Sequence, residues 1–181
     1  MTHAGRGARS AFSLVELVVV LAIMTVAMAM FAQTMASSAR LDPVAVETAT
    51  AADAARTMFE KMRNHPFSER FALYNADPAD DPGGANTAPG DHFNVPGLAP
   101  LGVEGFVGAI NFPTFKGQLR EDAVDADLGM PRDLNGDGII DSADHAADCL
   151  ILPVKIRLEW ASKTGNNGKR SFSLFTMFPK Q

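Results

Sequence analysis

Five oxygen-bearing side chains recur at a spacing that suits a hard cation. In the run Asp133-Leu134-Asn135-Gly136-Asp137-Gly138-Ile139-Ile140-Asp141-Ser142-Ala143-Asp144, they are Asp133, Asn135, Asp137, Asp141 and Asp144, at positions 1, 3, 5, 9 and 12 of a loop. Gly138 at position 6 permits a sharp turn, Ile139 at position 7 offers its carbonyl, and Ile140 at position 8 is placed to anchor the loop. Four carboxylates brought this close repel one another, and a calcium ion taking about 6–8 oxygen ligands would offset that repulsion. A donor set made only of oxygen favours Ca²⁺ over zinc or copper. Elsewhere the reactive residues are scattered. His3, His65, His92 and His145 show no ligand spacing, and the sequence has no G-x-S-x-G, H-E-x-x-H or phosphate-cradling glycine loop. His145 and Cys149 lie four apart on a predicted helix, a spacing open to a base and its nucleophile. The plainer reading is a buried small thiol near a surface imidazole, and no enzymatic activity is expected.

The aspartate run resembles an EF-hand loop with two departures. Asp144 stands at position 12 where Glu is usual, as in dockerin-like loops, and Gly129 and Pro131 occupy the place of an entering helix. A single loop followed by a short helix to about Asp148 is therefore expected.

The second candidate is Glu16, a carboxylate at the edge of the most apolar part of the chain. From Leu17 to Ala39 there is no charged residue, whereas Met1 to Ala11 carries Arg6 and Arg9 and no acid. About 20 apolar residues at about 1.5 Å each cover a hydrocarbon core of about 30 Å, so residues 12–39 are predicted to be a transmembrane helix. The arginines before it place the N-terminus in the cytoplasm and the remainder outside. A secretory signal peptide cut near Ala36-Ser37-Ser38-Ala39 is the alternative, but its apolar stretch would be only about 7–15 residues. A charge beside such a segment is costly and calls for a partner. Ser13 and Glu16 have the S-x-x-E spacing of a capping box, which would satisfy free amides at the helix start.

The stretch Ser10-Ala11-Phe12-Ser13-Leu14-Val15-Glu16-Leu17, after a short basic leader and before an apolar run, resembles the type IV prepilin signal. The resemblance covers roughly the first thirty residues and implies a type IV pilin-like or type II secretion pseudopilin. In that family a membrane prepilin peptidase cuts before the aromatic residue and methylates the new N-terminus. Carried over, residues 1–11 are the leader, the cut falls between Ala11 and Phe12, and Glu16 becomes an assembly residue. It would pair with the terminal amine of Phe12 on a neighbouring subunit. Ala11 stands where the family usually has Gly. Residues 51–63 also resemble the minor pseudopilin group that includes the type I pseudopilin and the pilus protein PilV. The implied partners are the peptidase, other pilin or pseudopilin subunits and an inner-membrane assembly platform. The implied location is a single pass through the inner membrane with a periplasmic C-terminal domain, then a filament after assembly.

The rest of the chain must form the head. With 181 residues, 46% hydrophobic and 20% charged, there is one domain's worth of sequence beside the apolar segment. The net charge of −5 and the lack of a Lys/Arg cluster argue against a nucleic-acid partner, and a lone cysteine excludes a disulfide framework or a multi-cysteine zinc site. Residues 40–64 read as the exposed half of a long helix, with Met58, Phe59 and Met62 on one face and a kink or break at Asp42-Pro43. Residues 65–181 read as an α+β head: a Pro/Gly-rich loop over 75–100, a strand from Gly105 to Phe112, the loop 133–144 and a hairpin over 153–178. In that hairpin Val154 to Trp160 alternates strictly, Ser171 to Phe178 follows, and Thr164 to Gly168 supply the turn. The fold expected is α+β with an antiparallel sheet behind a long N-terminal helix. A reading of a different class is a membrane-anchored, calcium-dependent binding module of dockerin type, which would normally carry a second, duplicated loop.

Overall fold

The structure, a computed structural model, describes residues 13–101, 105–162 and 168–180. It is α+β. The long helix α1 spans Leu14–Arg63, and its backbone stays helical through Asp42-Pro43. The break expected there does not occur. Proline deletes one amide donor, and the helical hydrogen bonds on both sides carry the backbone past that gap. The chain nevertheless divides at this point into two compact units, Met1–Asp42 and Pro43–Gln181.

Within Pro43–Gln181, the helix turns one face inward. Glu47, Ala51, Ala55, Phe59 and Met62 are buried, each four or three residues after the last, the repeat that keeps side chains on one side of a helix. Met58 is partly buried against the same core. The face meets the sheet directly: the Phe59 ring packs edge-on against Phe178 at 6.1 Å, and the Trp160 indole N–H donates to the Glu47 carboxylate at 3.0 Å. A second helix, α2 (Phe67–Tyr74), follows Pro66 and buries Phe71 and Tyr74, with Phe71 edge-on to Phe112 at 5.2 Å.

The sheet is antiparallel throughout. Strands β1 (His92–Phe93), β2 (Ala99–Pro100), β3 (Gly108–Asn111), β6 (Ile151–Ala161) and β7 (Lys169–Pro179) build it, and β4 (Thr114–Phe115) and β5 (Gln118–Leu119) form a separate hairpin. Strand β6 is central, paired with β3 and β2 along one edge and with β7 along the other. Its even-numbered residues Leu152, Val154, Ile156, Leu158 and Trp160 are buried, the period-two pattern of a strand with one face on a core. The register runs from Ile151 opposite Pro179 to Ala161 opposite Lys169, so the hairpin strands are longer than the alternation alone outlines. The turn expected at 164–168 falls mostly at residues 163–167, outside the described residues.

Two expectations change. The loop over 75–100 contains two short strands, β1 and β2, and buries Val95 and Leu98. The strand expected over 105–112 shortens to Gly108–Asn111, where a glycine is required. A Cβ at Gly108 would lie 2.3 Å from the Phe93 ring, which crosses it from β1.

Candidate functional site

The first site begins where α1 begins. Glu16 lies in its first turn, and the Ser13 carbonyl accepts the Leu17 amide at 3.2 Å. The reciprocal hydrogen bonds of a capping box are not formed: among the described residues, the Glu16 carboxylate has no hydrogen-bond or ion-pair partner. Glu16 lies within Leu14–Ser38, a 25-residue stretch whose most apolar 18-residue window has mean hydropathy 2.6 and no buried residue. At about 1.5 Å per residue it is long enough to cross a bilayer. Three of its hydroxyls are satisfied within the helix: Thr25 donates to the Leu21 carbonyl, Thr34 to Met30 and Ser37 to Gln33, each at 3.0 Å. Such back-bonding removes the cost of bringing them into an apolar medium. The Ala11–Phe12 bond and the leader lie outside the described residues.

The second site is the aspartate loop. Its first half is wound tightly. The Asp133 carboxylate accepts the Gly136 amide at 2.6 Å and the Gly138 amide at 2.8 Å. Both glycines sit at positive φ (82° and 84°), a region that side chains disfavour. Those amides hold the Asp133 carboxyl below its usual range. The Asn135 carboxamide oxygen accepts the Asp137 amide at 3.0 Å, and its nitrogen donates to Asp137 at 3.2 Å and to Asp148 at 3.3 Å. Asp148 is an oxygen at the loop that the sequence pattern does not include.

The second half faces elsewhere. Asp144 accepts the Leu119 amide at 3.1 Å and the Ala146 amide at 3.2 Å. Asp141 accepts the Ala143 amide at 2.7 Å and meets His145 Nε2 at 3.1 Å. Ile140 does not anchor the loop. It is half exposed and Ile139 more so, whereas Leu134 is fully buried and fills that role. Beneath Leu134 lies Glu121, also fully buried, whose carboxylate accepts the amides of Leu134 (2.6 Å), Asn135 (3.2 Å) and Asp141 (3.3 Å). One buried carboxylate thus ties together both halves of the loop.

After the loop the chain makes one turn, closed by the Cys149 amide to the His145 carbonyl at 3.0 Å, and not the helix expected to Asp148. That turn carries His145 inward, so its imidazole is 4% exposed and not a surface group. Burial opposes its charge, but hydrogen bonds donated to Asp141 and Asp148, with Glu121 nearby, outweigh that and hold its pKa above the ordinary value. Burial pushes the Cys149 thiol up to about 11, and both His145 nitrogens are engaged by carboxylates, so the pair is not an activated nucleophile and base. Among the described residues, one group of three acidic, imidazole or thiol side chains brings its donor atoms within 4.8 Å of one another: Glu121, Asp141 and His145. Sequence spacing gives no hint of Glu121, which reaches the loop through the fold alone.

A helix able to cross a membrane, a carboxylate in its first turn and an antiparallel-sheet unit after it make up a pilin-like, α+β layout. Residues 6–32 match the family described as the prokaryotic N-terminal methylation motif. No curated protein and no solved structure matches the chain.

Proposed function

We propose that the chain is a minor pilin or pseudopilin, a structural subunit of a type IV pilus-like or type II secretion filament and not a catalyst. A prepilin peptidase cuts between Ala11 and Phe12 and methylates Phe12. The helix then holds the subunit in the inner membrane, N-terminus cytoplasmic and Pro43–Gln181 periplasmic, until an assembly platform extracts it to pack against sibling pilins. The observation that carries this reading is the methylation motif over residues 6–32, continuous with an apolar helix whose first turn holds Glu16. Shearing cells that express the chain with its neighbouring secretion or pilus genes should release it with the filaments. Retention of all the protein in the membrane, with no cross-links to other pilins, would contradict the proposal.

Calcium is part of the same proposal, with Asp133, Asn135, Asp137, Ile139, Asp141 and Asp144 as its ligands. The wound first half of the loop supports it. Asp141 and Asp144 would have to turn from His145 and Leu119 to complete the set, and Asp148 is a further oxygen within reach. In detergent, the full chain should melt higher with calcium, a gain of about 2.7 kcal/mol at a hundredfold excess over Kd. Asp133→Ala should abolish the gain, and magnesium should substitute poorly because it demands a smaller octahedral cage. Melting indifferent to both calcium and chelator would leave the loop an acidic turn.

A further inference from the structure

The surroundings of His145 pose a charge problem that the calcium loop does not address. Its ring is 4% exposed and is bounded by three carboxylates: Asp148 at 3.1 Å from Nδ1, Asp141 at 3.1 Å from Nε2, and Glu121 at 3.7 Å from Nε2. A neutral imidazole has one N–H. With that hydrogen given to Asp148, the buried Nε2 lone pair faces only acceptor oxygens. Something positive must therefore stand between Nε2 and the Asp141 and Glu121 oxygens, either a second proton or a metal ion.

A proton on Nε2 would serve the Asp141 contact alone, since Glu121 at 3.7 Å lies beyond hydrogen-bond reach, whereas a metal ion would serve both carboxylates. Around a zinc-sized ion with bonds of about 2.0–2.2 Å, neighbouring donors stand roughly 3.0–3.6 Å apart. The separations of 3.1 and 3.7 Å from Nε2, with all three donor atoms within 4.8 Å of one another, lie close to that range. The other ring nitrogen is held by Asp148, the carboxylate–histidine arrangement that orients a metal-binding imidazole and raises its basicity. Glu121 is fixed from behind by three backbone amides, so the donors are preorganised. Asp141, with its side chain 46% exposed, leaves an entry path.

We propose that Glu121, Asp141 and His145 Nε2 form a binding site for a divalent transition metal of the zinc class, with Asp148 positioning the imidazole. The mixed nitrogen and oxygen donors suit such an ion better than calcium or magnesium. Bound there, it would link the segment carrying Glu121 to the turn after the aspartate loop. The proposal does not depend on the pilin reading; because Asp141 belongs to both ligand sets, it applies to the loop without calcium.

The test uses the full chain in detergent, stripped with chelator and titrated with zinc chloride at neutral pH. One zinc per chain should bind saturably. His145→Gln should abolish binding, and Asp148→Asn should weaken it by about 10–100-fold, as expected for a residue that orients a ligand. Asp53→Ala, at an exposed carboxylate of α1 that belongs to neither ligand set, should leave zinc affinity unchanged. Imidazole ¹⁵N spectra of the unsubstituted chain supply a readout that needs no variant: zinc should leave Nδ1 protonated and shift Nε2 alone. The proposal is overturned by an absence of saturable binding, by zinc affinity indifferent to His145→Gln, or by spectra showing both ring nitrogens protonated in the presence of zinc.

Discussion

Replacing Glu16 with Ala or Val should leave the chain inserted in the membrane and cut its incorporation into filaments by about a hundredfold or more. Insertion should not suffer, because an acidic side chain costs about 2.5–3.5 kcal/mol at the centre of a membrane helix, less near its end, and the change removes it. Assembly should suffer because the proposed cut gives Phe12 a charged amine, buried against neighbouring helices once packed. Removing one partner of a buried ion pair costs about 3–5 kcal/mol, and each 1.4 kcal/mol is about tenfold in an equilibrium. Among the described residues the Glu16 carboxylate has no partner, which is compatible with the proposed pairing to a neighbouring subunit. Carbonate extraction measures the first effect and cross-linking to sibling pilins the second. Unchanged cross-linking would leave Glu16 a residue of the helix start and nothing more.

The features legible in the sequence are those with a period. Strand β6 announces itself because Val154, Ile156, Leu158 and Trp160 alternate with polar residues, and burial follows that alternation without exception. The apolar helix needs only its length. Helix α2 was open to the same reasoning, since Phe67, Phe71 and Tyr74 recur at helical spacing after Pro66. Small residues hid part of the core: Ala51 and Ala55 are fully buried, yet an alanine carries too little hydropathy to mark a face. Strands β1 and β2 are two residues each, too short for any alternation to show.

The loop was legible as a set of oxygens but not as a geometry. Its spacing identifies Asp133, Asn135 and Asp137, whose side chains wind the first half of the loop around backbone amides, and says nothing of where Asp141 and Asp144 point. Those directions are set by Leu119, Glu121 and His145, which meet only in the folded chain. The burial of His145 is hidden from the sequence for the same reason. A polar residue among aspartates reads as surface, and only the turn between His145 and Cys149 carries it inward.

Processing is the second large effect, because cleavage changes both the length and the charge of the chain. Removing residues 1–11 deletes Arg6 and Arg9 and moves the N-terminus from a basic leader to the start of the apolar helix. That would place a new amine four residues before Glu16, as the proposed assembly through paired charges requires. The small side chain of Ala11 should suffice for the cut, and a bulky substitution there, such as Ala11→Leu, should stop it and leave unprocessed protein in the membrane. The most direct measurement is the intact mass of the protein extracted from its native membrane. The account predicts a chain that begins at Phe12 and carries one added methyl group. A chain that begins at Met1, or one cut near Ala39, would contradict it.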